Sequence, residues 1–284
     1  MDRFSRRGLF GLGVALLAQP AVLRATEPIR LGLTPVFLDN DAEVIDRLQA
    51  ALAQGTGRGI ELLQRRTYQE VTGLLLEGGA DAAWLCGYPF LQHEQALALL
   101  GVPVWRGAPL YQSYLITGPD DPATGLVDLR GGAHAFSDPD SNSGWLVTAS
   151  DLALMGERPE TFFQRTLFTY GHRNVVRAVA GGLTRSGSVD GYVWEALTAV
   201  EPSLTERTRV IARSEPLGFP PFVTRRSVAE GETAAVLGRA LLSLSETAEG
   251  RSALDLLQLD GVTAGDPALF DGIRARMRDL KAAG

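Results

Sequence analysis

One cysteine and one lysine stand in 284 residues, and each scarcity removes chemistry. With Cys86 alone, no internal disulfide can form, so the fold stands on its hydrophobic core. Lys281, close to the C-terminus, is the single lysine. A phosphate-loop lysine, a Schiff-base lysine and a Ser-x-x-Lys nucleophile pair each need one inside a motif, so all three are excluded. A basic surplus is lacking too. Against 33 Asp and Glu stand 27 Lys and Arg, a net charge of −6, which argues against a nucleic-acid partner held by a basic face. There is no Gly-x-Ser-x-Gly nucleophile elbow and no His/Cys/carboxylate cluster at metal-site spacing, so neither an enzyme nor a cofactor is expected. No apolar run is long enough to cross a membrane comfortably.

What is present is a globular composition. Hydrophobic residues make up 45% of the chain, enough to bury a core and to divide it into two lobes. The N-terminus stands apart: Ser5-Arg6-Arg7-Gly8-Leu9-Phe10 carries a twin arginine, Leu12 to Leu17 supply a short apolar stretch, and Ala21 to Ala25 a small-residue cleavage region. This has the form of a twin-arginine export signal, residues 1–25, which places the mature chain in the periplasm. Cleavage after Ala25 removes four arginines and one aspartate and takes the net charge from −6 to −9.

Along the mature chain, hydrophobic periodicity alternates between strand and helix. Strands are expected at Ile29 to Thr34, around Leu62-Leu63 and at Ala80 to Leu85, with helices at Ala42 to Ala53 and Tyr68 to Leu76 between them. A helix is expected at Pro89 to Leu100 and one long strand at Tyr111 to Thr117. A second series follows, with strands at Ala133 to Phe136, Thr166 to Tyr170, Ser188 to Val193 and Thr208 to Arg213, and helices at Ser143 to Met155 and from His172 through Ala180. Phe222 to Arg225 and three later helices return to the first series. Such alternation predicts mostly parallel sheets with covered faces, and two lobes joined by two crossings. The expected lobes are 26–114 with 219–284, and 115–218.

The stretch Ser137-Asp-Pro-Asp-Ser-Asn-Ser-Gly-Trp145 lies where a strand feeds a helix N-terminus. Ser141, Asn142 and Ser143 are good N-cap residues. With the free N–H groups of the first turn they can cradle a small oxyanion without a cationic side chain, or simply cap the helix. Ligands in open α/β sheets sit beyond the carboxyl ends of strands. Thr34, Tyr88, Ser141 to Ser143 and His172 all fall at such ends. His93 and His134 read as structural.

Taken in order, Gly32-Leu-Thr-Pro35, Thr67-Tyr68, Asp81-Ala-Ala-Trp-Leu85, Tyr111-Gln-Ser-Tyr114, Asp128-Leu-Arg-Gly131, Ser137-Asp-Pro139 with Ser141-Asn-Ser-Gly144, Gly171-His172 and Val189-Asp-Gly191 resemble the phosphate/phosphite/phosphonate-type periplasmic solute-binding proteins of ABC transporters. The match runs from about Ile29 to Ser227. It implies an α/β type II periplasmic-binding-protein fold with a hinge and an interlobe cleft, a small oxyanion ligand, delivery to an ABC permease, a monomer, and no catalysis. It also implies Thr34, Tyr68, Tyr111, Ser141, Asn142, Ser143 and His172 as ligand contacts, with a carboxylate near Tyr192 to Glu195 as a weaker carry-over. Two departures stand out. Asn142 sits where threonine is common, and Asp140 places a carboxylate before the cradle. Cys86, before Tyr88, resembles the cysteine of arsenite-sensing relatives that partner a histidine kinase. In that role the following helix N-terminus would lower the thiol pKa; read by itself, Cys86 is instead a small buried apolar residue.

Overall fold

The computed structural model describes residues 27–35 and 42–282, so the export signal lies outside the described residues. The first sheet is built by β1 (Ile29–Leu33), β2 (Ile60–Gln64), β3 (Ala82–Trp84), β4 (Leu97–Val104), β12 (Phe222–Arg225) and β13 (Gly261–Thr263), in the order β13-β4-β12-β3-β1-β2. The second is built by β6 (Ser113–Thr117), β7 (Ala133–Phe136), β8 (Arg165–Phe168), β9 (Ser186–Asp190) and β10 (Arg209–Arg213), in the order β10-β6-β9-β7-β8. Between them, β5 (Leu110–Tyr111) pairs antiparallel with β11 (Leu217–Gly218) at the two places where the chain changes sheet.

Both sheets are mixed, not mostly parallel. β1 runs parallel to β2 and β3, and β7 parallel to β8 and β9. The strands next to the crossings, β12 and β6, enter antiparallel. The reason is connectivity: a strand delivered by the crossing enters its sheet from the opposite direction to strands delivered by βαβ units. The expected single strand over Tyr111 to Thr117 is likewise broken at Gln112 into β5 and β6, which serve different sheets.

The helices are α1 (Ala42–Thr56), α2 (Tyr68–Leu76), α3 (Gly87–Gln92), α4 (Val147–Leu154), α5 (Pro159–Phe162), α6 (His172–Ala180), α7 (Gly191–Val200), α8 (Pro202–Thr205), α9 (Glu232–Leu242), α10 (Ala248–Leu257) and α11 (Asp271–Ala282). The helix expected over Pro89 to Leu100 is a correction. α3 ends at Gln92, and Leu97–Val104 is a strand held on both sides, by β12 and β13. An inner strand covered on both faces is apolar at every position, here Leu97 to Val104 with each residue buried or half-buried, and so loses the alternation that marks strands in sequence. The strand expected over Ser188 to Val193 also stops early. Asp190 caps α7 through N–H bonds from Tyr192 and Val193 to Oδ1, at 2.9 and 3.3 Å.

Strand alternation sorts the second core. Tyr114 and Ile116 of β6 join the large cluster that runs through both sheets. Leu115 between them joins Leu129, Phe136, Leu152, Phe162 and Phe163 on the other face. His134 is structural, as expected. Fully buried, it lies 2.7 and 2.9 Å from the Ser186 and Ser188 hydroxyls, and burial pushes its pKa down to about 3.

Candidate functional site

Four chain segments from the two sheets converge at the crossing. Thr67 opens α2 with a capping box. Its hydroxyl accepts from the Glu70 N–H at 3.1 Å, and the Glu70 carboxylate accepts from the Thr67 N–H at 3.1 Å, which fixes Tyr68 as the first helical residue. Tyr111 ends β5. Gly171 precedes α6 and makes His172 its first residue. Beyond β7, Ser141 caps a wide π-type turn over Asn142–Leu146, closed by a Leu146 N–H bond to the Ser141 carbonyl at 3.0 Å. The helix expected from Ser143 is thus a π turn followed by α4. A π turn of this kind commonly marks a functional position.

These side chains are buried together. Thr34, Tyr68, Cys86, Tyr111, Ser141, Asn142, Ser143 and His172 are each at most 2% exposed. The hydrogen bonds assign proton directions. The Asp190 N–H donates to His172 Nδ1 at 3.0 Å, so the proton of this imidazole rests on Nε2. Burial pushes the His172 pKa down to about 3, which keeps the ring neutral. Nε2–H then donates to Tyr68 Oη at 3.1 Å, and the Tyr68 O–H is left to donate elsewhere. Likewise Asn142 Nδ2 donates to Tyr111 Oη at 2.8 Å and leaves the Tyr111 O–H free to point at a ligand. Burial raises both phenols well above their ordinary pKa, so both remain donors.

Three further buried atoms, Ser137 Oγ, Asn142 Oδ1 and Ser143 Oγ, have no hydrogen-bond partner. Ser143 Oγ sits beside the Tyr111 hydroxyl and the Asp190 carboxyl without good bonding geometry to either. Gly144 is required by close approach: a Cβ there would lie 1.8 Å from Ser137 Oγ and 3.0 Å from His172 Cε1.

The electrostatics are those of neutral donors beside two carboxyls. Asp138 accepts the Tyr68 N–H at 3.2 Å and the Asp140 N–H at 2.8 Å. Burial raises its pKa, and raises that of Asp190 to about 7. Among the described residues neither carboxyl has an ion-pair partner. No arginine or lysine joins the hydrogen bonds of this cluster.

The remaining nominees lie differently. Thr34 is at the same cleft, but its hydroxyl donates to the Trp84 carbonyl at 2.9 Å. Ser141 Oγ accepts the Gly144 N–H at 2.9 Å, which caps the turn and, as at the two tyrosines, leaves its own O–H to donate. Tyr88 is only half-buried, and its ring stacks on Trp145 of the π turn with centroids 6.2 Å apart. Cys86 is buried, as its packing role expects, and the activation that a metalloid role would need is not there. Burial pushes its thiol up to about 12, against the smaller effect of the Asn142 N–H that points at Sγ from 3.3 Å. α3 is too short and too buried here to hold a thiolate. The carboxylate near Tyr192 to Glu195 is also displaced: Glu195 binds Arg106 and the Tyr114 hydroxyl, and Asp190 is the acid at the cluster. Ser137, Asp138 and Asp190 stand in the sequence within the motifs Ser137-Asp-Pro139 and Val189-Asp-Gly191, but nothing local marks them as ligand contacts.

Residues 31–270 match the family model of the ABC transporter, phosphonate, periplasmic substrate-binding protein. No curated protein matches the sequence. Among solved structures, a binding protein component of an ABC phosphonate transporter from Pseudomonas aeruginosa is similar at a TM-score of 0.83 and 22% identity, covering 91% of this chain and 90% of its own. PhnD1 from Prochlorococcus marinus in complex with methylphosphonate gives 0.78 and 15%, covering 89% and 98%. XAC2383 from Xanthomonas citri bound to ATP gives 0.69 and 19%, covering 91% and 97%. At these identities the structures establish a shared two-lobed type II fold.

Proposed function

Because this chain belongs to the periplasmic substrate-binding proteins of phosphonate ABC transporters, we propose that it captures a small phosphorus oxyanion between its lobes and delivers it to a membrane permease. The lobes divide at Gln112, where the chain passes from β5 to β6, and again between β10 and β11, and they pivot where β5 meets β11. Export by the twin-arginine signal at residues 1–25 brings the chain to the periplasm, where it works as a monomer. The observation that carries the reading is the pair of buried tyrosine hydroxyls. Tyr68 and Tyr111 belong to the first lobe, and each has a lone pair filled by a second-lobe donor, His172 or Asn142. Their protons, with the unpartnered Ser137 and Ser143 hydroxyls, can replace the water shell of one oxyanion only when the lobes meet.

Neutral donors beside buried carboxyls favour a singly charged oxyanion over a dianion. The thiophilic sensor reading loses its chemical basis with the protonated, buried Cys86. Methylphosphonate, phosphite, phosphate, sulfate and arsenite, each titrated into the mature protein with thermal shift as readout, test the proposal. A phosphorus oxyanion at a hundred times its Kd adds about 2.7 kcal/mol. Stabilisation by sulfate or arsenite alone would overturn the assignment.

A further inference from the structure

Beside the oxyanion cluster lies a cleft of about 620 Å³, a volume typical of sites that enclose a drug-sized molecule. It is far larger than a methyl or an amino substituent needs, since a water's share of liquid is about 30 Å³. Its floor is apolar. Val44, Ile45 and Leu48 on one face of α1 meet Leu33, Trp84 and Leu257. Its opposite wall comes from the second sheet's side, through Thr169, Tyr170 and Asn174.

Three lining residues lie next to the cluster in the chain. Glu70 shares the first turn of α2 with Tyr68, and Tyr170 and Asn174 stand either side of His172, while buried Thr34 lines the cleft at the end of β1. Tyr170 is unusual in two respects. Its backbone is left-handed, with φ of 52°, a region that favours glycine, and its large aromatic side chain is 44% exposed. A strained backbone that presents an aromatic face to an apolar-floored cleft is a feature found at ligand clamps. Arg65 and Arg66 stand exposed at the lip. They give the mouth the positive charge that the inner cluster lacks, and so draw an anion inward.

We infer that this cleft receives the organic substituent of the ligand, with Tyr170 covering it, and that the substrate class is a phosphonate carrying an extended apolar or aromatic group. The inference rests on the phosphonate reading above. It separates two jobs: the hydroxyl cluster grips the phosphonate head, and the cleft selects the tail by area removed from water.

Calorimetry of the mature protein with methylphosphonate, phenylphosphonate and hexylphosphonate tests it. The longer ligands are expected to bind at least tenfold more tightly than methylphosphonate, the gain that about two buried methylenes supply. Ile45→Trp, a substitution at a half-buried position that fills the cleft, is expected to remove that gain and leave methylphosphonate affinity unchanged. Tyr170→Ala is expected to reduce it severalfold, again for the long ligands only. Methylphosphonate binding as tightly as the others, or either variant weakening all three equally, would overturn the tail site and leave the phosphonate reading standing. If none of the three binds, both fall together.

Discussion

At the scale of single residues, the cradle divides its serines by task. Ser141 Oγ accepts the Gly144 N–H and so carries the cap, whereas Ser143 Oγ is buried and makes no hydrogen bond. Ser141→Ala is therefore expected to lower stability by about 1 kcal/mol, the worth of an N-cap. Ser143→Ala removes a buried hydroxyl that has no partner, so it should not lower the unfolding free energy, and it should weaken phosphonate binding by about 1 to 3 kcal/mol. Urea unfolding and calorimetry on both proteins separate the two roles, and equal behaviour of the variants would refute the division. Asp190 carries the pH dependence of the same cluster. Its pKa is about 7 in the folded protein and about 3.9 when unfolded. The folded state thus holds this proton more tightly. The contribution of Asp190 to stability is complete below about pH 4 and is lost as pH rises through 7. Asparagine keeps the cap on α7 but cannot ionise. Asp190→Asn should accordingly gain about 2 kcal/mol relative to wild type between pH 5 and pH 8, read from urea midpoints at the two values. The two buried histidines, His134 and His172, work in the opposite sense. Their pKa values of about 3 mean that stability is lost as pH falls below about 6.5, when the unfolded chain takes up the protons.

At the scale of elements, α11 acts as a strap across the crossing. From this last helix Arg276 reaches Asp151 on α4, bonds the Ser150 hydroxyl at 3.0 Å, and grips Glu215 in the connection to β11 at 2.6 and 3.0 Å. The guanidinium side chain is 13% exposed, while its two carboxylate partners are 41% and 46% exposed, so water screens the pairs in part. Arg276→Ala is expected to cost about 1 to 2 kcal/mol in urea unfolding, above the value of a surface pair because Asp151 is left half-buried without its cation. A loss below about 0.5 kcal/mol would mean that α11 is held by its apolar contacts alone. The elements misread from sequence share one cause. β4 lies between β12 and β13, and β6 is split from β5 at Gln112, because the crossing inserts a strand into each sheet. Nothing in the local pattern of Leu97–Val104 records which strands will flank it.

At the scale of the whole molecule, the bonds between Tyr68 and His172, Tyr111 and Asn142, and Cys86 and Asn142 all join residues assigned to opposite lobes. They describe a clamp with its faces together. A single anion that accepts from both lobes stabilises this arrangement by the difference between its affinities for closed and open forms. Small-angle scattering is expected to give a smaller radius of gyration with saturating methylphosphonate than without. An unchanged radius would mean that the ligand does not drive closure.

The chain by itself determined the alternation of elements, the capped entry into α2 at Thr67, the small hydroxyl and amide residues at Ser141 to Ser143, and the absence of any lysine to hold an anion. These are local properties, written in periodicity, cap chemistry and composition. Only the tertiary structure decided that the Cys86 thiol stays protonated, that Tyr88 stacks on Trp145, and that Asp190 joins the cluster. Burial and partner choice set protonation and hydrogen-bond direction, and both depend on residues far away in the chain, as in the contact of Tyr68 with His172, 104 residues apart.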